Sequence, residues 1–380
     1  MKYLVVGCGL SGVVVARHLA EHGQKVEIWD RRNHIAGNMY DYVDEHGILI
    51  HKYGPHTFHT KEKYLADYMK KWGEWSEYKL QCQAYFCGKF TPAPFNFQTI
   101  DDYYTAEDAA KLKKHIKAHF GDRKSASVLD VMNASDELIS SYGKFLFEHD
   151  YSLYTAKQWG ISASEVDPSV LKRVPLIFSY ETGYFDDEFQ MMPKTSFADI
   201  FSNMLNHESI AVRLGIEALE HLAVDIENNT IMLDGEICPY TVIYTGALDE
   251  LFGADMGALP YRSLRFEWHH ENKPSIQPAA VVAYPEAEGY TRIVEFNKLP
   301  VQNTHGTTYE IEYPLVYQPD EKQEPYYPLL TYDSQILADK YKTRADRING
   351  LYYCGRLADF EYYNMDQALK RALDLCKDIL

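Results

Sequence analysis

Basic side chains are scarce in this sequence of 380 residues, which has 38 lysines and arginines against 55 aspartates and glutamates. The formal net charge at pH 7 is therefore −17. Nucleic acids and anionic membranes both attract proteins through clustered basic groups, so a chain this acidic is poorly suited to either. We expect no nucleic-acid partner.

Cysteines and long apolar runs are also few. The six cysteines show no CxxC spacing, which argues against a disulfide scaffold, a zinc cage or a dithiol redox site. His56 and His59 could suggest metal, but no nearby carboxylate or cysteine completes a plausible ligand set, so we expect no metal site. Since there is no apolar stretch of 18 residues and no signal-peptide pattern, we expect no membrane insertion and a cytoplasmic location.

The order of the hydrophobic patterns predicts an α/β protein with two or three domains. Lys2–Val6 and Lys25–Asp30 are predicted strands on either side of a helix at residues 11–21, which is half of a doubly wound unit. The pattern of residues 100–173 is helical, and one of its helices is predicted to open at Ser135. Alternating segments, which predict an antiparallel sheet, follow at residues 262–269, 279–284, 292–296 and 307–313.

A glycine motif lies between the first predicted strand and its helix. Gly7, Gly9 and Gly12 form a GxGxxG pattern, and Asp30 ends the next strand. Such glycines allow a tight turn and let backbone N–H groups approach a pyrophosphate, while the acid can accept a hydrogen bond from a ribose hydroxyl. The motif predicts a dinucleotide site, and it suits either NAD or FAD.

Two further segments favour FAD. Residues 31–38, directly after the ribose-binding acid, contain an Ala-Gly pair, as in flavoproteins of the glutathione-reductase and amine-oxidase type. Residues 354–359 stand between a predicted strand and the last helix, where those flavoproteins place backbone against the flavin. We therefore expect a Rossmann-type FAD-binding domain with an inserted helical domain and an antiparallel β-sheet domain.

Seven short blocks stand in order along nearly the whole chain: GPHTFHT at 54–60, YTAKQWG at 154–160, LKRVP at 171–175, YRSL at 261–264, YTRI at 290–293, EPYYP at 324–328 and YYNM at 362–365. They resemble the signature blocks of the bacterial UDP-galactopyranose mutase family. The resemblance implies a homodimeric flavoenzyme of cell-surface polysaccharide biosynthesis. Its reaction would interconvert the pyranose and furanose forms of a nucleotide-diphosphate sugar without net redox change.

The chemistry implied by the resemblance is covalent flavin catalysis, with FAD active when reduced. Flavin N5 attacks the anomeric carbon, the nucleoside diphosphate leaves, and the sugar ring opens and recloses in a flavin N5–sugar adduct. An external reductant such as NAD(P)H would reduce the flavin. No protein nucleophile is needed, which agrees with the lack of a GxSxG motif.

The resemblance assigns catalytic roles to Arg173, Arg292 and His56. The two arginines match a pair that clamps the diphosphate, and His56 matches a histidine beside the flavin. The other residues expected to contact substrate are His59, Asn96, Tyr151, Tyr154, Thr155, Trp159, Tyr184, Tyr326, Tyr362 and Asn364. Those expected to contact the cofactor are Gly7, Gly9, Ser11, Gly12, Asp30, Arg31, Gly37, Asn38, His56, Thr245, Gly246, Arg262, Gly355, Arg356, Asn364 and Met365.

Two departures from the family's pattern leave the substrate open. Tyr151 with Asp150 stands where the family has two aromatic residues against uracil, and Asn364 replaces an aspartate in the last block. UDP-galactose is our first expectation, with UDP-N-acetylgalactosamine and dTDP-fucose as alternatives. An FAD-dependent amine oxidase or dehydrogenase is the alternative from another class, although it explains neither the arginine blocks nor the tyrosines. The third alternative for the function is a non-catalytic module that binds a nucleotide sugar or FAD.

The predicted domains interleave along the chain. We assign residues 1–78, 195–260 and 340–380 to the FAD-binding domain, residues 99–174 to a helical substrate and lid domain, and residues 79–98, 175–194 and 261–339 to the antiparallel sheet domain.

Overall fold

The computed structural model describes residues 2–160, 174–319 and 323–380 and contains a five-stranded parallel sheet. Each neighbouring pair of its strands is parallel. The first two strands along the chain have the predicted bounds, and the helix between them begins one residue early, at Leu10. In spatial order the strands are Ile210–Leu214, Lys25–Asp30, Lys2–Val6, Thr241–Tyr244 and Leu351–Tyr353.

Both faces of the parallel sheet are covered, which explains why its central strands are almost wholly apolar. The helices that pack on one face are Leu10–Glu21, Lys63–Lys70, Phe197–Leu205 and Met365–Ile379. The other face is covered by the helices Leu248–Leu251 and Tyr332–Ala345 and by a small antiparallel sheet of Leu222–Asp225, Thr230–Leu233 and Glu236–Ile237. This confirms the expected Rossmann-type architecture.

A seven-stranded sheet forms the second layer of strands. In spatial order they are Tyr327–Pro328, Tyr261–Glu271, Thr307–Val316, Arg292–Glu295, Val281–Ala283, Cys82–Phe86 and Lys89–Ala93. The four alternating segments lie in it as predicted, but the sheet is mixed, because Val281–Ala283 and Cys82–Phe86 pair in parallel. Strands joined by a tight hairpin must pair antiparallel. These two strands are far apart in sequence, so their connection allows parallel pairing as well.

Helices fill the segment that follows the strand Lys89–Ala93 and pack against one end of the seven-stranded sheet. They are Phe97–Tyr103, Ala106–Phe120, Val128–Met132, Glu137–Leu146 and Ser152–Trp159, with the π-helical turn Phe147–Tyr151 before the last. The N-cap of Glu137–Leu146 is Asp136 and not Ser135, because the longer-reaching Asp136 carboxylate accepts hydrogen bonds from the N–H groups of Leu138 and Ile139. Among the helices of the described residues, none is both long and apolar enough to cross a membrane.

Short strands and turns complete the described fold. They are the three-stranded sheet of Phe58–Thr60, Phe189–Pro193 and Trp75–Glu77, the strand pairs Asp41–Val43 with Leu49–His51 and Ser125–Ala126 with Leu176–Ile177, and the 3-10 turns Gly37–Met39 and Ala218–Glu220. The last part of the helical pattern expected over residues 100–173, from residue 161 onward, lies outside the described residues. The division of the chain into three domains by residue number stays a prediction.

Close packing between two helices of the helical segment generates a stability prediction. Alanine favours a helix over glycine by about 1 kcal/mol, so Gly143→Ala would be stabilising in an isolated helix. Here the new Cβ would stand 2.7 Å from the backbone nitrogen of Met132 and 2.9 Å from the carbonyl carbon of Val131. We therefore expect Gly143→Ala to destabilise the fold by about 1–3 kcal/mol in urea unfolding.

The matched control is Ser141→Ala, at an exposed position of the same helix. It should change the free energy of unfolding by no more than about 0.5 kcal/mol. Equal stability of the two variants would contradict the close approach of the helices.

Candidate active site

A cavity of about 260 Å³ opens at the carboxyl ends of the parallel strands. The residues that line it include Gly7 and Asp30, which follow or end two of these strands, and Thr245, Gly246 and Gly355, which follow two more. Ligands of doubly wound sheets bind at this edge, where successive strands turn away from each other.

Three glycines allow backbone segments to cross closely beneath this cavity. Gly7 has a φ of +104°, and a Cβ on it would stand 2.1 Å from Thr245 Oγ1. A Cβ on Gly12 would stand 2.0 Å from the carbonyl oxygen of Gly7, and one on Gly37 would stand 2.8 Å from the Cα of Gly9. Larger residues at Gly7, Gly12 or Gly37 would push these segments apart.

The cavity has the polar groups that a dinucleotide needs. Gly9 caps the helix Leu10–Glu21 without a side-chain hydrogen bond, so first-turn N–H groups are available to a pyrophosphate. The Asp30 carboxylate accepts hydrogen bonds from the N–H groups of Cys8 at 2.7 Å and Arg32 at 2.8 Å, which fixes its orientation. Each oxygen keeps a further lone pair for a ribose hydroxyl. Arg31 and Arg32 both donate to Glu324 at 2.8 Å.

A second cavity, of about 550 Å³, joins the first. The residues that line both cavities are Asn38, His56, Arg356, Asn364 and Met365. The two cavities therefore meet at a junction where a cofactor in one would face a substrate in the other.

Most of the residues expected to contact substrate line the second cavity. These are His59, Tyr151, Tyr154, Thr155, Trp159, Tyr184, Tyr326, Tyr362 and Asn364, with Arg292 and His56. Asn96 lies elsewhere: its side chain caps the helix Phe97–Tyr103 and donates to the carbonyl of Glu181 at 2.9 Å. Arg173 lies outside the described residues.

The expected cofactor residues line the first cavity, with one exception. Those that line it are Gly7, Gly9, Ser11, Gly12, Asp30, Arg31, Gly37, Asn38, His56, Thr245, Gly246, Gly355, Arg356, Asn364 and Met365. The guanidinium of Arg262 instead donates to the carbonyls of Gln158 at 3.0 Å and Lys157 at 3.2 Å, so it holds the end of the helix Ser152–Trp159. Contact of each residue with a ligand stays a prediction.

Arg292 is held by the pairing of two strands. The register of the sheet puts Arg292 directly opposite Glu312, and its Nε donates to Glu312 Oε2 at 2.7 Å. Burial opposes the charge of the guanidinium, but the carboxylate of Glu312 more than compensates and raises the pKa of Arg292 well above its ordinary value. The second cavity therefore contains a permanent cation.

Glu310 lies two residues from Glu312 on the same face of the strand and is fully buried. Burial, followed by the neighbouring Glu312, raises the pKa of Glu310 well above its ordinary value, which favours the protonated, neutral form of this side chain. Neither oxygen of Glu310 nor Oε1 of Glu312 accepts a hydrogen bond from another described residue. A proton on Glu310 satisfies both side chains, because it can be donated to Oε1 of Glu312.

His56 stands at the junction as a neutral base. Burial, with a smaller contribution from Arg356, lowers the pKa of His56 to about 4. Its Nδ1 lies 2.9 Å from the carbonyl of Gly54, which requires the proton on Nδ1 and leaves Nε2 as an acceptor. The imidazole adds no positive charge at neutral pH.

Three residues of the second cavity were missed by sequence reasoning. Nδ1 of His59 lies 2.6 Å from the Asp187 carboxylate, and its ring stacks on Phe185 with centroids 3.5 Å apart. Tyr327 stacks on Tyr362 with centroids 5.3 Å apart. Tyr327 could have been predicted from the sequence, since it stands in the EPYYP block. No motif in the sequence indicated Asp187 or Phe185.

Asp150 and Tyr151 both line the second cavity, and Asp150 is half-buried there. Burial raises the pKa of Asp150 to about 7. Tyr151 is buried, and its hydroxyl donates to the carbonyl of Val174 at 2.7 Å. Six residues after Tyr151, Lys157 Nζ donates to three backbone carbonyls of residues 284–290 at 2.7–2.8 Å.

A Rossmann-like cleft that opens into a cavity with a half-buried arginine and many tyrosines is typical of one class of protein: dinucleotide-dependent enzymes that act on anionic, nucleotide-like substrates. The family model of UDP-galactopyranose mutase matches residues 150–362, and that of the NAD(P)-binding Rossmann-like domain matches residues 5–72. The chain belongs to the UDP-galactopyranose mutase family.

Named relatives agree with this membership. The chain is 33% identical to the dTDP-fucopyranose mutase of Escherichia coli, over 98% of this chain and 97% of that protein. It is 30% identical to the UDP-galactopyranose mutase of Mycoplasma pneumoniae, over 100% of this chain and 96% of that protein. The crystal structure of a reduced UDP-galactopyranose mutase has the same fold, with a TM-score of 0.75, 14% identity and coverage of 100% of this chain and 93% of that one.

Family membership establishes the class of reaction that the protein catalyses. The protein is an isomerase, and the family's reaction is the interconversion of pyranose and furanose forms of a nucleotide sugar. This sets aside both the amine oxidase or dehydrogenase and the non-catalytic binding module.

The two buried glutamates generate a matched prediction. Glu312→Gln removes the charge that compensates Arg292 and should cost about 1.5–3 kcal/mol of stability, as expected for a charge-assisted hydrogen bond. Glu310→Gln replaces one neutral donor by another and should change the free energy of unfolding by less than about 1 kcal/mol. Urea unfolding at pH 7 compares the two, and equal losses would show that Glu310 is not neutral.

Proposed function

We propose that this protein catalyses the redox-neutral interconversion of UDP-galactopyranose and UDP-galactofuranose, with FAD in the first cavity and the nucleotide sugar in the second. The observation that supports this most directly is the junction of the two cavities at His56, Arg356 and Asn364. A flavin ring bound there would meet the sugar of a substrate whose diphosphate reaches Arg292.

The described residues of the first cavity fit FAD. The closely crossing glycines, the oriented Asp30 carboxylate and the open N-terminus of the helix Leu10–Glu21 suit an adenosine diphosphate moiety. Gly355 and the N-terminus of the helix Met365–Ile379 suit the flavin end. Bound and reduced, FAD would supply a nucleophilic nitrogen, N5, for the anomeric carbon of the sugar.

The residues of the chain would bind, orient and neutralise. Arg292, with Arg173 proposed from its sequence block, would bind the diphosphate and stabilise its charge as the glycosidic bond breaks. Tyr184, Tyr326 and Tyr362 would donate hydrogen bonds to the same group from the wall of the cavity. The neutral imidazole of His56 would help position the flavin without adding charge.

Further properties belong to the same proposal. NAD(P)H is a suitable class of external reductant, and a homodimer in the cytoplasm is the expected form of the enzyme. UDP-galactose is our first choice of substrate. dTDP-fucose is the second, because one relative is named a dTDP-fucopyranose mutase.

The test of the function is turnover as a function of flavin state. Purified protein should carry about one FAD per chain. After dithionite reduction it should convert UDP-galactofuranose to UDP-galactopyranose, because only reduced N5 is nucleophilic, and it should consume no reductant per turnover. The products are separated by chromatography, with UDP-N-acetylgalactosamine and dTDP-fucose sugars assayed in parallel. Equal turnover by the fully oxidised protein would contradict the flavin chemistry.

The control for this test is Arg292→Ala, which leaves the first cavity intact. It should keep its FAD and lose about 2–4 kcal/mol of transition-state stabilisation, measured as kcat/KM. Near-normal turnover of this variant would contradict the proposed position of the diphosphate.

Asp150 generates a pH prediction for nucleotide binding. If its carboxylate accepts the N3–H of uracil, binding favours the ionised form, so affinity for UDP-galactose should rise as the pH passes upward through about 7 and then level off. One proton limits the rise to about tenfold per pH unit. Calorimetry with the oxidised protein measures binding without turnover.

The matched variant is Asp150→Asn, whose amide oxygen accepts the same bond but has no proton to lose. The affinity of Asp150→Asn for UDP-galactose should not show the rise between pH 6 and 8 that we expect for the wild type. Lys157, whose pKa burial lowers to about 8 against the opposing effect of Asp150, is present in both proteins, so a pH dependence that remains in Asp150→Asn belongs to Lys157. Identical pH profiles would show that Asp150 does not read the base.

A further inference from the structure

Three potential metal ligands converge outside both cavities. Cys87 stands in the turn between the strands Cys82–Phe86 and Lys89–Ala93, His149 in the π-helical turn, and Glu286 in the loop after Val281–Ala283. Sγ of Cys87 lies 3.3 Å from Nδ1 of His149 and 3.6 Å from Oε1 of Glu286, and these last two atoms are 3.1 Å apart.

The three edges of this triangle come within about 0.2 Å of those between three corners of a tetrahedral zinc site. Zinc bonds of about 2.3 Å to sulfur and about 2.0 Å to nitrogen and oxygen at tetrahedral angles separate the ligand atoms by about 3.3–3.6 Å. We propose that Cys87, His149 and Glu286 bind one Zn²⁺, with water as the fourth ligand. The thiol of Cys87 loses its proton to solvent when the metal binds, and the thiolate and carboxylate together balance the two charges of the ion.

The same geometry excludes a catalytic triad. In a Cys-His-acid triad the two ring nitrogens have different partners: one faces the nucleophile and the other the acid. Here a single nitrogen, Nδ1 of His149, faces both the sulfur and the carboxylate. Three ligand atoms around one point suit a cation and not a proton relay.

The backbone around Cys87 is arranged for this convergence. Cys87 has a φ of +46°, a conformation uncommon for a residue with a side chain. Its N–H donates to Oε2 of Glu286 at 2.9 Å, which turns the other oxygen, Oε1, toward the sulfur and the imidazole. Cys87 is exposed, so a metal ion from solvent can reach the site.

The sequence predicts no metal site, because the three proposed ligands are far apart along the chain. Cys87 and His149 are 62 residues apart, and His149 and Glu286 are 137 apart, so no spacing motif exists. A bound ion would tie the seven-stranded sheet to the π-helical turn, in which Asp150 and Tyr151 directly follow His149. It would thereby restrain one wall of the second cavity.

Zinc binding by the intact flavoprotein tests this proposal independently of mutase activity. After chelator treatment, the wild type is dialysed against micromolar ZnCl₂ and bound zinc is measured by mass spectrometry. We expect one zinc per chain that Cys87→Ser, His149→Gln and Glu286→Gln each weaken by at least about tenfold. The matched control is Cys238→Ser, which removes a thiol elsewhere and should bind zinc as the wild type does.

A second measurement uses the wild type alone. Zn²⁺ should slow iodoacetamide alkylation of Cys87, located by peptide mapping, at least about tenfold and leave Cys238 unaffected, because a metal-bound thiolate is shielded. The proposal is overturned if the wild type binds no zinc, or if none of the three substitutions weakens zinc binding. It is also overturned if Cys87 is alkylated equally fast with and without the metal. In each of these cases the three side chains form only hydrogen bonds with one another.

Discussion

The register between two neighbouring strands determines the electrostatics of the candidate active site. Arg292 and Glu312 face each other because Arg292–Glu295 and Thr307–Val316 pair in one antiparallel register. A slip of one residue would turn each side chain to the opposite face of the sheet and separate the ion pair. The cation in the second cavity therefore depends on the correct folding of the sheet, and Glu310 lies beside Glu312 on the same face of the strand.

The meeting of the two cavities depends on a different constraint, the close crossing of backbone segments. The segment after the first strand passes Thr245 on one side and Gly37 on the other at distances that exclude a Cβ. These crossings bring Asn38 and His56 beside Arg356, which comes from the opposite end of the chain. The first and second cavities share one junction because distant segments are packed without side chains between them.

Local chemistry in the sequence was enough to locate the cofactor cleft, whereas the details of the second cavity required the fold. Gly12 and Asp30 stand in a motif whose spacing fixes their geometry, so their place in the cavity could be predicted. Arg262 stands in one of the recognised blocks and Asn96 in none, but both side chains cap or hold helices, which no pattern reveals. Glu312 could not be found in advance, because it is defined by strand register and not by proximity in sequence.

The strongly acidic chain makes the local placement of its cations decisive. At physiological salt the field of the whole protein is screened over about 8 Å, so a diphosphate in the cavity senses mainly its nearest charges. Arg31 and Arg32 share Glu324, and Arg292 is paired with Glu312, so part of each charge is compensated. Arg356 instead donates to the carbonyls of Tyr326 and Tyr363, and among the described residues no carboxylate oxygen forms an ion pair with it. Among the described arginines that line the two cavities, the least compensated positive charge therefore stands at the junction of the cavities.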